Sequence, residues 1–205
     1  RNQAAGTISF TTELAAAVRD AEIVFITVGT PARAGQGDAD LSFVYAAARE
    51  IAPLLKNNAV VVVKSTVPVG TGATVERILS GLRPEGSFSV VSNPEFLREG
   101  SAIGDFQNPD RVVIGSEDET ALGVMLEIYR PIQEARLPVV TTKRKTSELI
   151  KYAANAFLAT KITFINEIAD LCEQVDADVR ELALGVGLDN RIGRHFLNVG
   201  PGYGG

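Results

Sequence analysis

Ala59-Val-Val-Val-Val-Lys64, followed by Ser65-Thr-Val-Pro-Val-Gly70 and the helix-like run Gly72 to Leu79, is the stretch on which the fold turns. Four consecutive valines read as a strand buried on both faces, because a half-exposed strand would alternate apolar and polar residues. A strand covered on both faces belongs to an α/β sheet. Outward from it the pattern repeats. Ala21-Glu-Ile-Val-Phe-Ile-Thr-Val28 is another apolar run and ends in Gly-Thr-Pro. Between the two, Leu41 to Leu55 has helical spacing, with Asp40 or Ser42 as candidate N-caps. Glu13 to Arg19 reads as a short helix. Ser87 to Ser92, Arg111-Val-Val-Ile-Gly115 and Pro138-Val-Val-Thr141 read as further strands, with Glu119 to Tyr129 helical. Strands alternating with helices predict an α/β fold with a mostly parallel sheet. Right-handed crossovers then place all strand C-terminal ends along one edge, where ligands bind.

The last third changes character. From about Thr146 to Gln174 there is no proline or glycine, and Leu149, Ile150, Ala153, Ala154, Phe157, Leu158, Ile162, Ile165, Ile168 and Leu171 keep helical spacing. One long helix is expected, started by Thr146 or Ser147 with Glu148 in its first turn. A second helix from Val179 to Leu184 has Asp178 as its cap. The domain boundary falls near Lys143-Arg-Lys145, giving domains 1–145 and 146–205.

Composition narrows the function. The chain has 205 residues, 45% of them hydrophobic, and a formal net charge of -5. That balance argues against a nucleic-acid or anionic-membrane surface as the main task. No apolar run approaches the roughly 20 residues of a membrane span, and the first residues do not read as a signal peptide. One cysteine makes no internal disulfide and no thiolate metal cluster, which favours a cytoplasmic protein. One histidine excludes a zinc enzyme needing two or three, so no metal is expected. A Ser-His-Asp enzyme would have to use His195, which reads as a surface or substrate-contacting residue. Cys172 reads as a core residue.

Four patches lie where chemistry could sit. Gly29 in Val28-Gly-Thr-Pro31 permits close approach to the backbone, and Thr30 offers a hydroxyl beside Pro31; a plain strand-ending turn is the competing reading. In Lys64 to Gly70, Ser65 and Thr66 put hydroxyls at the same edge, unless they serve only as caps. Asn93-Pro-Glu-Phe-Leu-Arg-Glu-Gly100 carries Glu95 and Glu99, which would share a face in a helical turn. One of them, partly desolvated, suits a general base; the alternative is a solvated loop neutralised by Arg98. Lys151 and Asn155 are one helical turn apart, and an ammonium beside an amide can hold an oxyanion or a substrate hydroxyl. A solvated helix face is the alternative there.

Taken in order, these patches with Pro109-Asp-Arg-Val-Val-Ile-Gly115, Glu148 to Phe157 and Gly200-Pro-Gly-Tyr-Gly-Gly205 resemble the UDP-glucose/GDP-mannose dehydrogenase family over essentially the whole chain. Asn93 to Gly100 is highly specific to it, and Pro109 to Gly115 looks most like the UDP-glucose 6-dehydrogenase branch. The resemblance implies a partial Rossmann-like sheet, a long connecting helix and a small helical dimerisation region. It implies oxidation of the sugar C6 alcohol to a carboxylate with two NAD+, through a cysteine thioester. For UDP-glucose the product is UDP-glucuronate, a polysaccharide precursor.

The resemblance also assigns roles. Gly29, Thr30, Pro31, Thr66 and Glu99 would meet NAD. Thr66, Glu95, Lys151 and Asn155 would be catalytic, with Glu95 as acid/base in thioester hydrolysis. Glu95, Phe96, Leu97, Arg98, Glu99, Lys151 and Asn155 would line the nucleotide sugar. Phe196, Leu197, Asn198, Val199, Gly200 and Gly204 would cover it, with Arg191 reaching it across a homodimer interface. The family's opening Gly-x-Gly-x-x-Gly turn and the Ser-Cys that follows Gly-Gly do not occur in this chain. It therefore reads as an internal fragment, inactive alone, of an NAD-dependent enzyme. A sister enzyme acting on GDP-mannose or a UDP-N-acetylhexosamine is the nearest alternative, and a non-catalytic nucleotide-binding or dimerisation module the more distant one.

Overall fold

A computed structural model describes residues 2–33, 38–84 and 87–201. The chain forms two compact units, Arg1–Lys151 and Tyr152–Gly205.

The first unit runs α1 (Leu14–Val18), β1 (Ile23–Ile26), α2 (Ser42–Ile51), β2 (Ala59–Val63), α3 (Thr71–Leu82), β3 (Phe88–Ser92), α4 (Ala102–Gln107), β4 (Val112–Gly115), α5 (Glu119–Ile128), α6 (Arg130–Glu134), β5 (Val139–Thr142) and the first two turns of α7 (Arg144–Val175). Among the described residues the sheet has five strands in the order β1-β2-β3-β4-β5. The valine run is its centre: every residue of β2 is buried. Ala59, Val61 and Val63 pack into a core with Val44 and Ala48 of α2 and Val75 and Leu79 of α3. Val60 and Val62 pack on the other face with Val91, Ile114 and, from α5, Ala121 and Met125. Alternate side chains of one strand thus feed two cores, which is why the run shows no polar alternation.

The sheet is mostly parallel, with one departure. Strands β1 to β3 are parallel and so are β4 and β5, but β4 meets β3 antiparallel through Ser92 and Gly115. The expectation that all strand C-termini share one edge therefore holds only for β1 to β3. The cause lies in the connection: α4 has six residues and buries none of them, so it does not lie on the sheet as a crossover helix would. The chain instead turns back beside β3, and the Asn93 side-chain amide donates to the Val113 carbonyl at 2.8 Å.

Element boundaries moved slightly. Helix α7 begins at Arg144, ahead of Thr146 and Ser147. Ser147 is no cap, because its hydroxyl is engaged with Ser92. Helix α2 follows Leu41 with no side-chain cap, although Asp40 accepts from the Ser42 N–H at 3.0 Å. Residues 93–98 are not helical, so Glu95 and Glu99 share no helical face. The short helices α4 and α6 went unread because neither has a full amphipathic period.

The second unit holds the rest of α7 and α8 (Val179–Gly187). Asp178 caps α8 as expected, accepting from the Arg180 and Glu181 N–H groups. Cys172 is a free, buried thiol, and His195 is exposed.

Candidate active site

The site assembles where β2 and β3 end. Past β2 the chain passes Ser65 and Thr66 before turning at Pro68 into α3. The Ser65 hydroxyl donates to the Val28 carbonyl at 2.6 Å. The Thr30 hydroxyl donates to the Thr66 carbonyl at 2.8 Å. The turns after β1 and β2 are thereby stitched together, with Thr30 beside Thr66. A Cβ built on Gly29 meets nothing within 4 Å, so the backbone there faces open space. An open glycine with two threonines at the C-terminal edge of parallel strands suits a dinucleotide.

Past β3, Glu95 sits half-buried. The Lys151 ammonium is 3.0 Å from Glu95 Oε1, and the Thr66 hydroxyl donates to the same oxygen at 3.4 Å. The Leu97 N–H donates to Oε2 at 2.6 Å. Burial raises the Glu95 pKa, but the Leu97 N–H, the Lys151 ammonium and the Thr66 hydroxyl outweigh it and leave the pKa below the usual value. Glu95 is therefore a carboxylate at neutral pH, able to accept a proton. The Phe96 ring carries Arg111 at 3.9 Å and Lys151 at 5.1 Å from its centroid. Because β4 runs antiparallel to β3, Arg111 at its N-terminal end reaches this ring.

The rest of the loop behaves differently. Leu97, Arg98 and Glu99 are exposed. Arg98 forms a bidentate pair with Asp105, with contacts of 2.6 and 3.0 Å, and the Asp105 carboxyl is pulled down to about 2 chiefly by that arginine. So Arg98 answers Asp105, and the alternative in which it neutralises the two glutamates does not hold.

In the second unit, Asn155 is half-buried on α7. Arg191 is held by Asp189, with its shortest contact at 2.6 Å. Phe196 adopts a positive φ of 63°, and Leu197 is buried while Asn198 and Val199 are exposed. The Gly200 N–H and C=O both bond the Asn166 side chain, at 3.1 and 2.9 Å, and the Lys161 ammonium donates to the Ile192 carbonyl at 2.9 Å. Two helix residues that the sequence reading passed over thus anchor this loop. Gly204 lies outside the described residues.

Lys64 was also passed over. Its ammonium donates to Asn93 Oδ1 at 3.2 Å and to the Tyr129 hydroxyl at 3.3 Å, and that hydroxyl donates to Asn93 Oδ1 at 2.6 Å. A lysine closing a buried valine run was the available signal. Burial pushes the Lys64 pKa down from 10.5 to about 8; the Glu95 carboxylate opposes this and Lys151 adds to it. Between those two values the unfolded chain binds the proton and the folded one does not, so stability rises with pH. The expected result is a denaturation midpoint that increases from about pH 8 to about pH 10 in the wild type and loses that increase in Lys64→Met. Equal slopes in the two proteins would remove Lys64 as the cause.

Residues 1–133 match the NAD binding domain of the UDP-glucose/GDP-mannose dehydrogenase family, and residues 145–205 match its central domain. The chain belongs to that family. It is 62% identical over 206 aligned residues to a UDP-glucose 6-dehydrogenase of Rhizobium meliloti, covering 100% of this chain and 47% of that protein. A UDP-glucose 6-dehydrogenase of Bacillus subtilis is 52% identical over 97% of this chain and 42% of its own length. The UDP-glucose dehydrogenase structure from Pyrobaculum islandicum superimposes with a TM-score of 0.92 at 44% identity, over 99% of this chain and 47% of that one. GDP-mannose dehydrogenase from Pseudomonas aeruginosa gives a TM-score of 0.87 at 34% identity, over 96% of this chain and 46% of that one. The chain spans about half the length of the curated relatives it matches.

Proposed function

We propose that the protein carrying this chain oxidises C6 of UDP-glucose to UDP-glucuronate, using two NAD+ in succession. The observation that carries the reading is the Lys151–Glu95–Thr66 cluster, with an ammonium and a hydroxyl converging on one carboxylate oxygen beside the open Gly29-Thr30 turn. NAD+, when bound, supplies the acceptor for the hydride leaving C6. Gly29, Thr30, Pro31 and Thr66 would hold it, with Glu99 at the margin. The Lys151 ammonium stabilises the oxygen charge that develops as the alcohol is oxidised, and Asn155, one turn along α7, supplies an amide donor for the same purpose. The Glu95 carboxylate accepts the proton of the water that hydrolyses a thioester. Phe96, Leu97 and Arg98 would line the sugar; the family resemblance also gives sugar contacts to Arg191, Phe196, Leu197, Asn198, Val199 and Gly200. Cys172 is buried, so it is no candidate for the thioester nucleophile, which this reading places elsewhere in the whole protein.

A homodimer through the α7 region is part of the proposal, supported by exposed Phe157, Phe164, Leu171 and Val175 along that helix. A cytoplasmic location is supported by the unpaired buried thiol. No helix among the described residues is long and apolar enough to cross a membrane. The test is turnover by the full-length protein. With UDP-glucose it should reduce two NAD+ per sugar; turnover of GDP-mannose or a UDP-N-acetylhexosamine without turnover of UDP-glucose would replace this reading with the sister one.

A further inference from the structure

Glu148 lies in the second turn of α7 with 2% of its surface exposed. A buried carboxylate demands partners, and Glu148 finds them outside its own helix. Its two oxygens accept from the Gly70 N–H and the Gly72 N–H, each at 2.7 Å. Gly70, at φ 96°, is the N-cap of α3 and lends that helix no side-chain cap. Glu148 therefore caps α3 from another element, its negative charge facing the positive end of the helix dipole. The fit is close: a Cβ on Gly72 would stand 3.0 Å from Glu148 Oε1.

The two elements joined by this carboxylate carry Lys151 and Thr66, the two side chains that reach Glu95 Oε1. Thr66 lies in the segment that leads into Gly70. Lys151 lies three residues beyond Glu148, and so about one turn further along α7. Neighbouring bonds fix the same two turns: Ser147 with Ser92 at 3.1 and 3.2 Å, and Arg144 with Glu76 at 2.7 Å. Of these, only the Glu148 bond runs to the segment that holds Thr66.

We infer that Glu148 is a positioning residue for the reaction: by clamping α7 to the N-terminus of α3 it sets the distance between the Lys151 ammonium and the Glu95–Thr66 pair. The inference rests on the function proposed above. Shortening the clamp lets α7 slide, and a shift of about 1 Å at reacting groups is enough to cost about 100-fold in rate.

The test uses the full-length protein with Glu148→Ala and Glu148→Gln, and Val75→Ala in the α3 core as a destabilised control. Glu148→Ala should lower kcat by about 30-fold to 100-fold while the KM values for NAD+ and nucleotide sugar change by less than about threefold. Glu148→Gln, which keeps one oxygen acceptor, should fall between Ala and wild type. A second readout needs no turnover. The Glu95 carboxyl is followed by NMR titration with labelled glutamate. Lys151, Lys64, Thr66 and the Leu97 N–H face that carboxyl. Displacement of Lys151 should raise the Glu95 midpoint in both Glu148 variants and leave it unchanged in Val75→Ala. An unchanged Glu95 midpoint in both Glu148 variants overturns the inference and leaves Glu148 a structural cap. Wild-type protein that oxidises no nucleotide sugar sinks the proposed function, and the titration still decides the positioning role.

Discussion

Lys151→Ala should lower kcat of the full-length enzyme by about 100-fold or more. The ammonium is buried, lies 3.0 Å from Glu95 and stands over the Phe96 ring, so it works where water does not screen it. Its charge does two things. In the proposed reaction it would meet negative charge growing on the substrate oxygen, a contribution felt only in the transition state and thus in kcat more than in KM. It also contributes, after the Leu97 N–H, to the lowered Glu95 pKa. Removing it withdraws one of the influences that lower the Glu95 pKa, while burial, which raises it, remains. The carboxylate contributes as a base above its pKa, so the acidic limb of the kcat profile should move to higher pH in the variant. Lys151→Arg should not restore the rate, because the planar guanidinium cannot place a compact charge at the same point. Initial rates of NADH formation across pH settle both points, and near-normal kcat in Lys151→Ala would exclude the residue from the mechanism.

How much of this was legible in the residues follows from what each signal encodes. The valine run gave β2 because burial on both faces leaves a mark in a single strand. The direction of β4 left none: Arg111 to Gly115 reads as a strand whichever way it runs, and the deciding fact is that α4 buries nothing. Asn93 to Gly100 marks a candidate site by its residue types. Its helical turn did not form, because the loop from Asn93 to Arg98 instead runs beside β4 and closes its own contacts, Leu97 onto Glu95 and Arg98 onto Asp105. Lys151 was found from its spacing to Asn155, whereas the partner that defines it in the structure is Glu95, distant in sequence. Lys64 and Glu148 were overlooked for the same reason. A lysine ending a strand and a glutamate in a helix's first turns have ordinary local explanations, and only tertiary neighbours reveal them as buried and bonded. Local pattern supplied the elements and the list of reactive groups, and long-range pairing decided which of them meet.

The second large effect is on stability, and it tests whether α7 is seated as tightly as the site requires. Gly115 ends β4 where the chain returns as the start of α7. A Cβ added there would lie 2.5 Å from the Ser147 Cβ, 2.8 Å from the Arg144 Cα and 3.0 Å from the Lys143 carbonyl oxygen. Two of those atoms are backbone, so no rotamer change relieves the clash, and the helix start must move away from the strand. Gly115→Ala should therefore cost about 3 kcal/mol, the upper end of ordinary overpacking. Gly123, in the middle of α5, supplies the contrast. A Cβ there meets nothing within 4 Å, so Gly123→Ala should gain about 0.5–1 kcal/mol by removing a flexible residue from a helix. Denaturant unfolding of the two variants beside the wild type measures the difference, which should approach about 4 kcal/mol. The displacement in Gly115→Ala also carries Ser147, Glu148 and Lys151 with it, so kcat should fall alongside stability. In Gly123→Ala kcat should hold. A Gly115→Ala protein as stable and as active as the wild type would mean that the first turns of α7 are not fixed against β4.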